Sequence, residues 1–289
     1  MKTIYVIGSL NMDVSIKTKR FPEVGETIEG SDFVTHSGGK GLNQAIACSK
    51  LGGRVKMLGA VGDDIYGRHM VMTLGHWDID KTNVKIVPDV STGVAMVVVS
   101  GTDNKIILDL GANLKVEKAD VDKFLKTAAS GDILLCQLET PLEVIGHALK
   151  VAKSKNMMTI VNPAPMNLGI VKYINYIDIL TPNSVEMQAL SENEEFIKSY
   201  KSHIITTLGK NGYSYNYRGA KITGKAFDVK VVDTTGAGDT FSGALAYKLS
   251  FEPVITKEVL DFCTKAASIS TTRLGTAIAS PTLREVEEW

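Results

Sequence analysis

"ILLCQLETPLEVIGHALKVAKSKNMMTIVNPAP" (residues 133–165) holds two short apolar runs, Ile133–Cys136 and Met158–Val161, with a helical-length segment, Glu143–Lys153, between them. Runs of this length and β-rich composition read as strands, and the segment joining them reads as the crossover of a β-α-β unit. The same alternation extends in both directions. Upstream lie the runs Thr3–Ile7 and Val55–Ala60 and the helical-length segments Lys40–Leu51, Gly67–Gly75 and Lys118–Ala129. Downstream, Ile177–Leu180 and His203–Thr206 flank Ser184–Leu190. Repeated strand–helix alternation with near-continuous apolar strands predicts an α/β fold, a mostly parallel central sheet covered by helices on both faces.

Two stretches break the alternation. Val14–Val34 and Thr92–Asp109 read as strands without intervening helices, with turn residues at Pro22, Gly25, Gly30 and Gly101–Asn104. "GVAMVVVSGTDNKIILDL" (residues 93–110) looks like a hairpin about "GTDN". These stretches predict a small β-sheet lid, built from about residues 12–36 and 91–110, on a single domain spanning 1–289. No internal repeat or Pro/Ser-rich linker divides the chain. A lid sheet with one apolar face needs something to cover it, which points to a homodimer through the lid.

The bulk composition excludes several classes. Lys+Arg and Asp+Glu balance at 32 each, so no net charge draws the chain to nucleic acid or an anionic membrane. Cys48, Cys136 and Cys263 are odd in number, widely spaced and in apolar company, which predicts reduced thiols in the cytoplasm rather than a disulfide framework. The apolar stretch of "MKTIYVIGSLNMD" (residues 1–13) is too short for a secretory signal. No window reaches the roughly 18 apolar residues of a spanning helix.

The chemistry concentrates in "VVDTTGAGDTFSGALAYKL" (residues 231–249). A β-branched strand end passes through Gly236, Ala237 and Gly238 into a helix. Such a turn aims unpaired N–H groups and the positive end of the helix dipole outward, a setting for a phosphoryl group. Asp239 lies within it, placed either to cap the helix or to accept a proton from an attacking hydroxyl. Other glycine motifs fail. "SGGKGLNQA" (residues 37–45) lacks the Ser/Thr and the earlier Gly of a Walker A loop. No Gly-x-Gly-x-x-Gly follows the first strand, and neither His-Glu-x-x-His nor Cys-x-x-Cys occurs, so dinucleotide and zinc sites lack support.

Polyol-binding chemistry appears upstream. Asn11 and Asp13 are two apart and project from one face in extended chain, where an amide and a carboxylate can grip neighbouring hydroxyls. Gly38 and Gly39 allow a close backbone approach to a ligand, and Lys40 and Asn43 add donors on one side of the helix that follows. Glu139 supplies a carboxylate beyond the C-terminal end of a strand, where open α/β sheets place their ligands.

"DTTGAGDTFSGA" (residues 233–244) closely resembles the signature of the ribokinase-like, or pfkB, carbohydrate kinases. "GSLNMD", "GGKGLNQA", "STGVA", "GAN", "QLE" and "NPAP" follow the order of that family along the whole chain. The resemblance implies a three-layer α/β/α kinase with Asp239 as catalytic base and Gly236, Ala237 and Gly238 as anion hole. It also implies a sugar site of Asn11, Asp13, Gly39, Lys40, Asn43, Glu139 and Asp239. For ATP it implies Asn183, Thr207, Leu208, Gly209, Lys210, Gly212, Gly238 and Thr264. Glu186, three residues after Asn183, would organise Mg2+ through its waters, a capping pair being the alternative. Asp233, Thr235, Ser270, Arg273 and Gly275 match a K+ site made mostly of backbone carbonyls. The implied reaction is ATP-dependent phosphorylation of D-ribose to ribose 5-phosphate. The same chemistry on 2-deoxyribose, fructose or a nucleoside, and a non-catalytic sugar-binding role, are the alternatives. A phosphorylated sugar would call for further basic residues. Two departures stand out: the segment between Leu190 and His203 is shorter than usual in the family, and Ala279 stands where a Ser is usual.

Overall fold

The apolar runs pair side by side, as their lack of a polar face requires. The computed structural model describes residues 1–101, 103–200, 202–217 and 219–289; Thr102, in the expected "GTDN" turn, lies outside the described residues. Along the chain, β1 (Ile4–Ile7), β2 (Asn11–Thr18) and β3 (Gly30–Gly38) lead into α1 (Lys40–Lys50). Then come β4 (Val55–Leu58), β5 (Ala60–Gly62), α2 (Ile65–His76), β6 (Lys85–Val87), β7 (Gly93–Ser100), β8 (Asp103–Asp109) and α3 (Lys118–Phe124). β9 (Ile133–Cys136), α4 (Leu142–Ser154), β10 (Met158–Val161), β11 (Ile179–Leu180), α5 (Ser184–Ser191), α6 (Glu194–Ser199) and β12 (His203–Thr207) follow. The remainder comprises β13 (Tyr213–Tyr217), β14 (Ala220–Gly224), α7 (Ala237–Leu249), α8 (Lys257–Ser270) and α9 (Leu283–Glu288).

The main sheet has the order β14-β13-β12-β11-β10-β9-β1-β4. From β12 to β4 the pairs are parallel, while β13 and β14 add an antiparallel edge. Side chains alternate between two cores, as a pleated strand dictates. Ile4, Val6, Ile133 and Leu135 pack with α1, α7 and α8, whereas Tyr5, Ile7, Leu134 and Cys136 pack with α3 and α4. Two cores on opposite faces make the expected three layers.

The lid is a separate sheet of order β3-β2-β7-β8, in which β2 and β7 pair in parallel and the outer strands antiparallel. Four details depart from the sequence reading. Val55–Ala60 is two strands, because the chain bends at Gly59, where a Cβ would sit 2.8 Å from the Gly8 carbonyl oxygen. β5 then leaves the main sheet to pair with β6. The Lys118–Ala129 segment stops as α-helix at Phe124 and tightens into a 3-10 turn, Leu125–Thr127. The expected strand Ile177–Leu180 keeps only its last two residues. Among the described residues, no helix is long and apolar enough to cross a membrane.

The parallel strands all end on one side of the sheet. The segments that leave β1, β9, β10, β11 and β12 there carry Ser9, Gln137–Glu139, Asn162, Asn183 and Leu208.

Candidate active site

Gly39 stands at the start of α1. Its φ of 92° is one that L side chains rarely adopt, and a Cβ would lie 2.8 Å from both the Asn11 amide nitrogen and the Ser9 carbonyl oxygen. The start of α1 therefore lies directly against the turn between β1 and β2. Asn11 is buried, and its Oδ1 accepts from Asn113 Nδ2 at 2.7 Å; Asn113 in turn receives the Leu10 amide at 2.9 Å. Buried Glu139 accepts from the Ser9 hydroxyl and, at 3.3 Å, from the Lys40 amide at the first turn of α1. That contact gives Glu139 the helix-capping role open to an acid beside a helix start, and keeps it beside Lys40.

Asp13 is pushed up to about 7, first by burial and then by the charges of Glu139 and Asp239, with Lys40 opposing. Burial works against the Lys40 charge, but Asp239, Glu139, Glu186 and Asp13 together outweigh it and raise its ammonium. Four acids around one lysine make a site rich in hydroxyl acceptors.

Asp239 is not the N-cap of its helix. Gly236 takes that position with a left-handed φ of 77°, and Asp239 sits in the first turn of α7. Its carboxylate turns inward instead: Asn43 Nδ2 donates to Oδ2 and Gln44 Nε2 to Oδ1, both at 2.9 Å. α1 and α7 pack closely enough for these bonds because a Cβ on Gly243 would come within 2.7 Å of the Ala47 Cβ. Of the turn amides, that of Ala237 reaches the Thr234 carbonyl at 3.3 Å, while that of Gly238 finds no acceptor among the described residues.

A cleft of about 830 Å3 opens from this point. Lys40 and Asp239 line it together with Asn183, Glu186, Thr207, Leu208, Gly209, Lys210, Gly212, Gly236, Ala237, Gly238 and Thr264. Asn11, Asp13, Gly39, Asn43 and Glu139 lie outside its lining and meet it through Lys40 and Asp239. The Leu208 amide donates to the Gly212 carbonyl at 2.8 Å and closes the glycine turn after β12. Thr264 Oγ1 donates to the Leu260 carbonyl at 2.8 Å, which satisfies its hydroxyl within α8.

Asn183 and Glu186 form a reciprocal capping box at the start of α5, each side chain accepting the other's amide at 2.8 Å. The capping alternative is thus realised. Glu186 nonetheless lines the cleft, and burial raises it above the usual carboxylate range, Asp239 adding to this while the Asn183 amide and Lys40 oppose.

The expected cation residues adjoin the same turn. Asp233 Oδ1 accepts the Thr235 amide at 2.9 Å and the Thr235 hydroxyl at 2.7 Å. Ser270 donates to the Ala267 carbonyl, and the Arg273 guanidinium turns to Glu285. The loop through Gly275 packs on Gly236, whose Cβ position lies 3.3 Å from Thr276 Cα. Among the described residues, no group of three His, Cys, Asp or Glu side chains could hold a metal.

Sequence reasoning missed Ser9, Gln44, Asn113, Gln137 and Asn162, all buried and all bonded to the expected residues or to one another. Their signal was present: each lies inside a string already singled out for the family resemblance.

Helix α7 thus presents an acid between a cluster of polar and acidic side chains and a cleft that runs past a glycine turn, an arrangement suited to a kinase acting on small alcohols. Residues 1–283 match the pfkB family of carbohydrate kinases, and the chain belongs to that family. A ribokinase of Schizosaccharomyces pombe is 37% identical over 310 residues, covering 99% of this chain and 97% of the relative. A deoxyribokinase of Salmonella typhimurium is 33% identical over 304 residues, covering 99% and 98%. The structure of Arabidopsis thaliana ribokinase complexed with ribose and ATP superposes with a TM-score of 0.87 at 28% identity, covering 99% of this chain and 98% of that one.

Proposed function

We propose that this protein transfers the γ-phosphoryl group of ATP to the primary hydroxyl of D-ribose, giving ribose 5-phosphate and ADP. One observation carries the reading: buried Asp239, fixed by Asn43 and Gln44, stands where the acid-rich cluster around Asp13 and Glu139 meets the cleft. Asn11, Asp13, Gly39, Lys40, Asn43 and Glu139 would hold the sugar. Asn183, Thr207, Leu208, Gly209, Lys210, Gly212, Gly238 and Thr264 would border the nucleotide.

In the reaction the hydroxyl oxygen attacks the γ-phosphorus in line, its proton passes to the Asp239 carboxylate, and the bond to the β-phosphate oxygen breaks as ADP leaves. An ordinary carboxylate suffices as base, because the hydroxyl becomes acidic only as its bond to phosphorus forms. The Gly236–Gly238 turn and Lys40 stabilise charge on the transferred group. Glu186, buried and held above its ordinary value despite Lys40 nearby, suits a hydrated Mg2+, and when bound this ion would offset phosphate charge. The carbonyls of Asp233, Thr235, Ser270, Arg273 and Gly275 would hold K+ beside the anion turn.

The Arabidopsis relative, complexed with both ribose and ATP, supports ribose as acceptor, and the Salmonella deoxyribokinase keeps 2-deoxyribose as the second reading. In our reading the chain works as one kinase domain, with its lid sheet covered by that of a second copy. Its three cysteines, all free and buried, fit a reducing cytoplasm.

Asp239→Asn tests the mechanism: kcat falls at least about a hundredfold while ribose and ATP still bind. Turnover close to that of the parent would remove Asp239 from the base role. An ATP-consumption assay over ribose, 2-deoxyribose, fructose and adenosine, with and without K+, tests the acceptor; failure on ribose alone would overturn the ribose assignment and leave the kinase.

A further inference from the structure

We propose that Gln44 is the positioning residue for Asp239, its amide locked in one orientation by a chain of buried side chains that begins at a backbone carbonyl. The proposal rests on the reading of Asp239 as base. Polarity enters at Thr181. A backbone carbonyl can only accept, so the Thr181 oxygen takes Asn162 Nδ2 at 2.9 Å. That turns Asn162 Oδ1 toward α1, where it accepts from Gln44 Nε2 at 3.1 Å. The same Nε2 donates to Asp239 Oδ1 at 2.9 Å. On the other side, Gln44 Oε1 accepts from Gln137 Nε2 at 2.6 Å.

Each amide therefore fixes the next. Were Gln44 flipped, its oxygen would face Asn162 Oδ1 and a carboxylate, and its NH2 would face the Gln137 donor. Those repulsive contacts would fall among side chains that are wholly buried, Gln44 and Gln137 being 0% exposed, where unpaired polar contacts cost most. Asn43 takes the other carboxylate oxygen, so the carboxylate plane is fixed at two points, both on α1. Gln44 and Gln137 do not line the cleft, unlike Asn162. Gln137 Oε1 finds no partner among the described residues, so its side-chain hydrogen bonding goes to Gln44 alone.

A base held in this way keeps its free lone pairs aimed at the incoming hydroxyl, and misplacement by about 1 Å lowers turnover by roughly a hundredfold. The test is a double-mutant cycle between Gln44→Met, which keeps side-chain length and removes the donor, and Asp239→Asn. Expected for Gln44→Met is a kcat roughly ten- to hundredfold lower, with ribose and ATP affinities, measured by calorimetry, within about twofold of the parent. In the Asp239→Asn background the same substitution leaves kcat unchanged, because its effect runs through the carboxylate. Gln137→Met, which removes the donor that holds Gln44 Oε1, reproduces a smaller fall of the same kind and serves if Gln44→Met does not fold. The proposal is overturned if both glutamine variants turn over within about twofold of the parent, or if the Gln44→Met loss multiplies onto that of Asp239→Asn. An Asp239→Asn protein with parental turnover would instead overturn the base reading, and the positioning role with it.

Discussion

Asp13 shows how one side chain of the proposed sugar site bears on stability. Burial first, then Glu139 and Asp239, hold it protonated up to about pH 7 in the folded chain. In the unfolded chain it ionises near its ordinary value of about 4. The folded state therefore favours the neutral acid. Its stabilising contribution is whole below the unfolded value and is lost as pH rises through about 7. Glu186, also raised, contributes with the same sign. The expected outcome is that the free protein's Tm drops by several degrees between about pH 5 and pH 8, and that Asp13→Asn flattens much of that slope. Differential scanning fluorimetry across that range checks it; an unchanged slope in the variant would assign the dependence elsewhere. The same residue shows why the site was partly legible. Asn11, Asp13, Lys40 and Asn43 carry ligand chemistry in their side chains and lie at spacings that show which of them share a face. Gln44 and Gln137 meet only other side chains, across separations of 195 and 93 residues, and pattern along the chain does not encode such pairs. Asp239 was ambiguous between cap and base for a local reason: an acid in the first turn of a helix serves either role until its partners are known.

Helix α1 carries Lys40, Asn43 and Gln44 and helix α7 carries Asp239, so their separation sets the bonds that Asn43 and Gln44 make to Asp239, and with them the geometry of the proposed base. The contact that sets it is Gly243, whose Cβ would lie 2.7 Å from the Ala47 Cβ and 2.8 Å from the Gln44 carbonyl oxygen. The latter is rigid backbone, so Gly243→Ala must push the helices apart. We expect a loss of about 1–3 kcal/mol from overpacking and a kcat roughly tenfold lower from the lengthened bonds to Asp239. Chemical denaturation and steady-state assays measure the two; a variant with parental stability and turnover would show that the crossing is not set here. The elements themselves were readable where period and length agreed, as in α4 and β9. β13 was missed although Tyr213 and Tyr215 alternate with the more exposed Ser214 and Asn216, because Ser, Asn and neighbouring glycines weaken the strand signal. The split at Gly59 and the pairing of β5 with β6 depend on the Gly8 backbone lying close by, a contact distant in sequence.

At the scale of the whole molecule, the lid leaves its account unfinished. All of β8 is exposed, with Ile106 at 58%, Ile107 at 72% and Leu108 at 39%, while neighbouring Met96 is 54% and Phe33 63% exposed. An edge strand with three consecutive apolar residues in water invites a partner strand or sheet, and charged residues are the usual protection against it. A second lid of the same composition would cover this surface. Sedimentation velocity is expected to show a dimer at micromolar concentrations and a shift to monomer in Ile107→Glu, whose charge would be buried without a partner in the joined lids. The lid reaches the site through β2, which carries Asn11 and Asp13, whereas Asp239 belongs to α7 beside the main sheet. Uncovering the lid should therefore raise KM for the sugar several-fold and leave kcat at saturation within about twofold. A wild-type protein that sediments as a monomer at every concentration tested would refute the dimer, and a monomeric variant with unchanged KM would separate assembly from sugar binding.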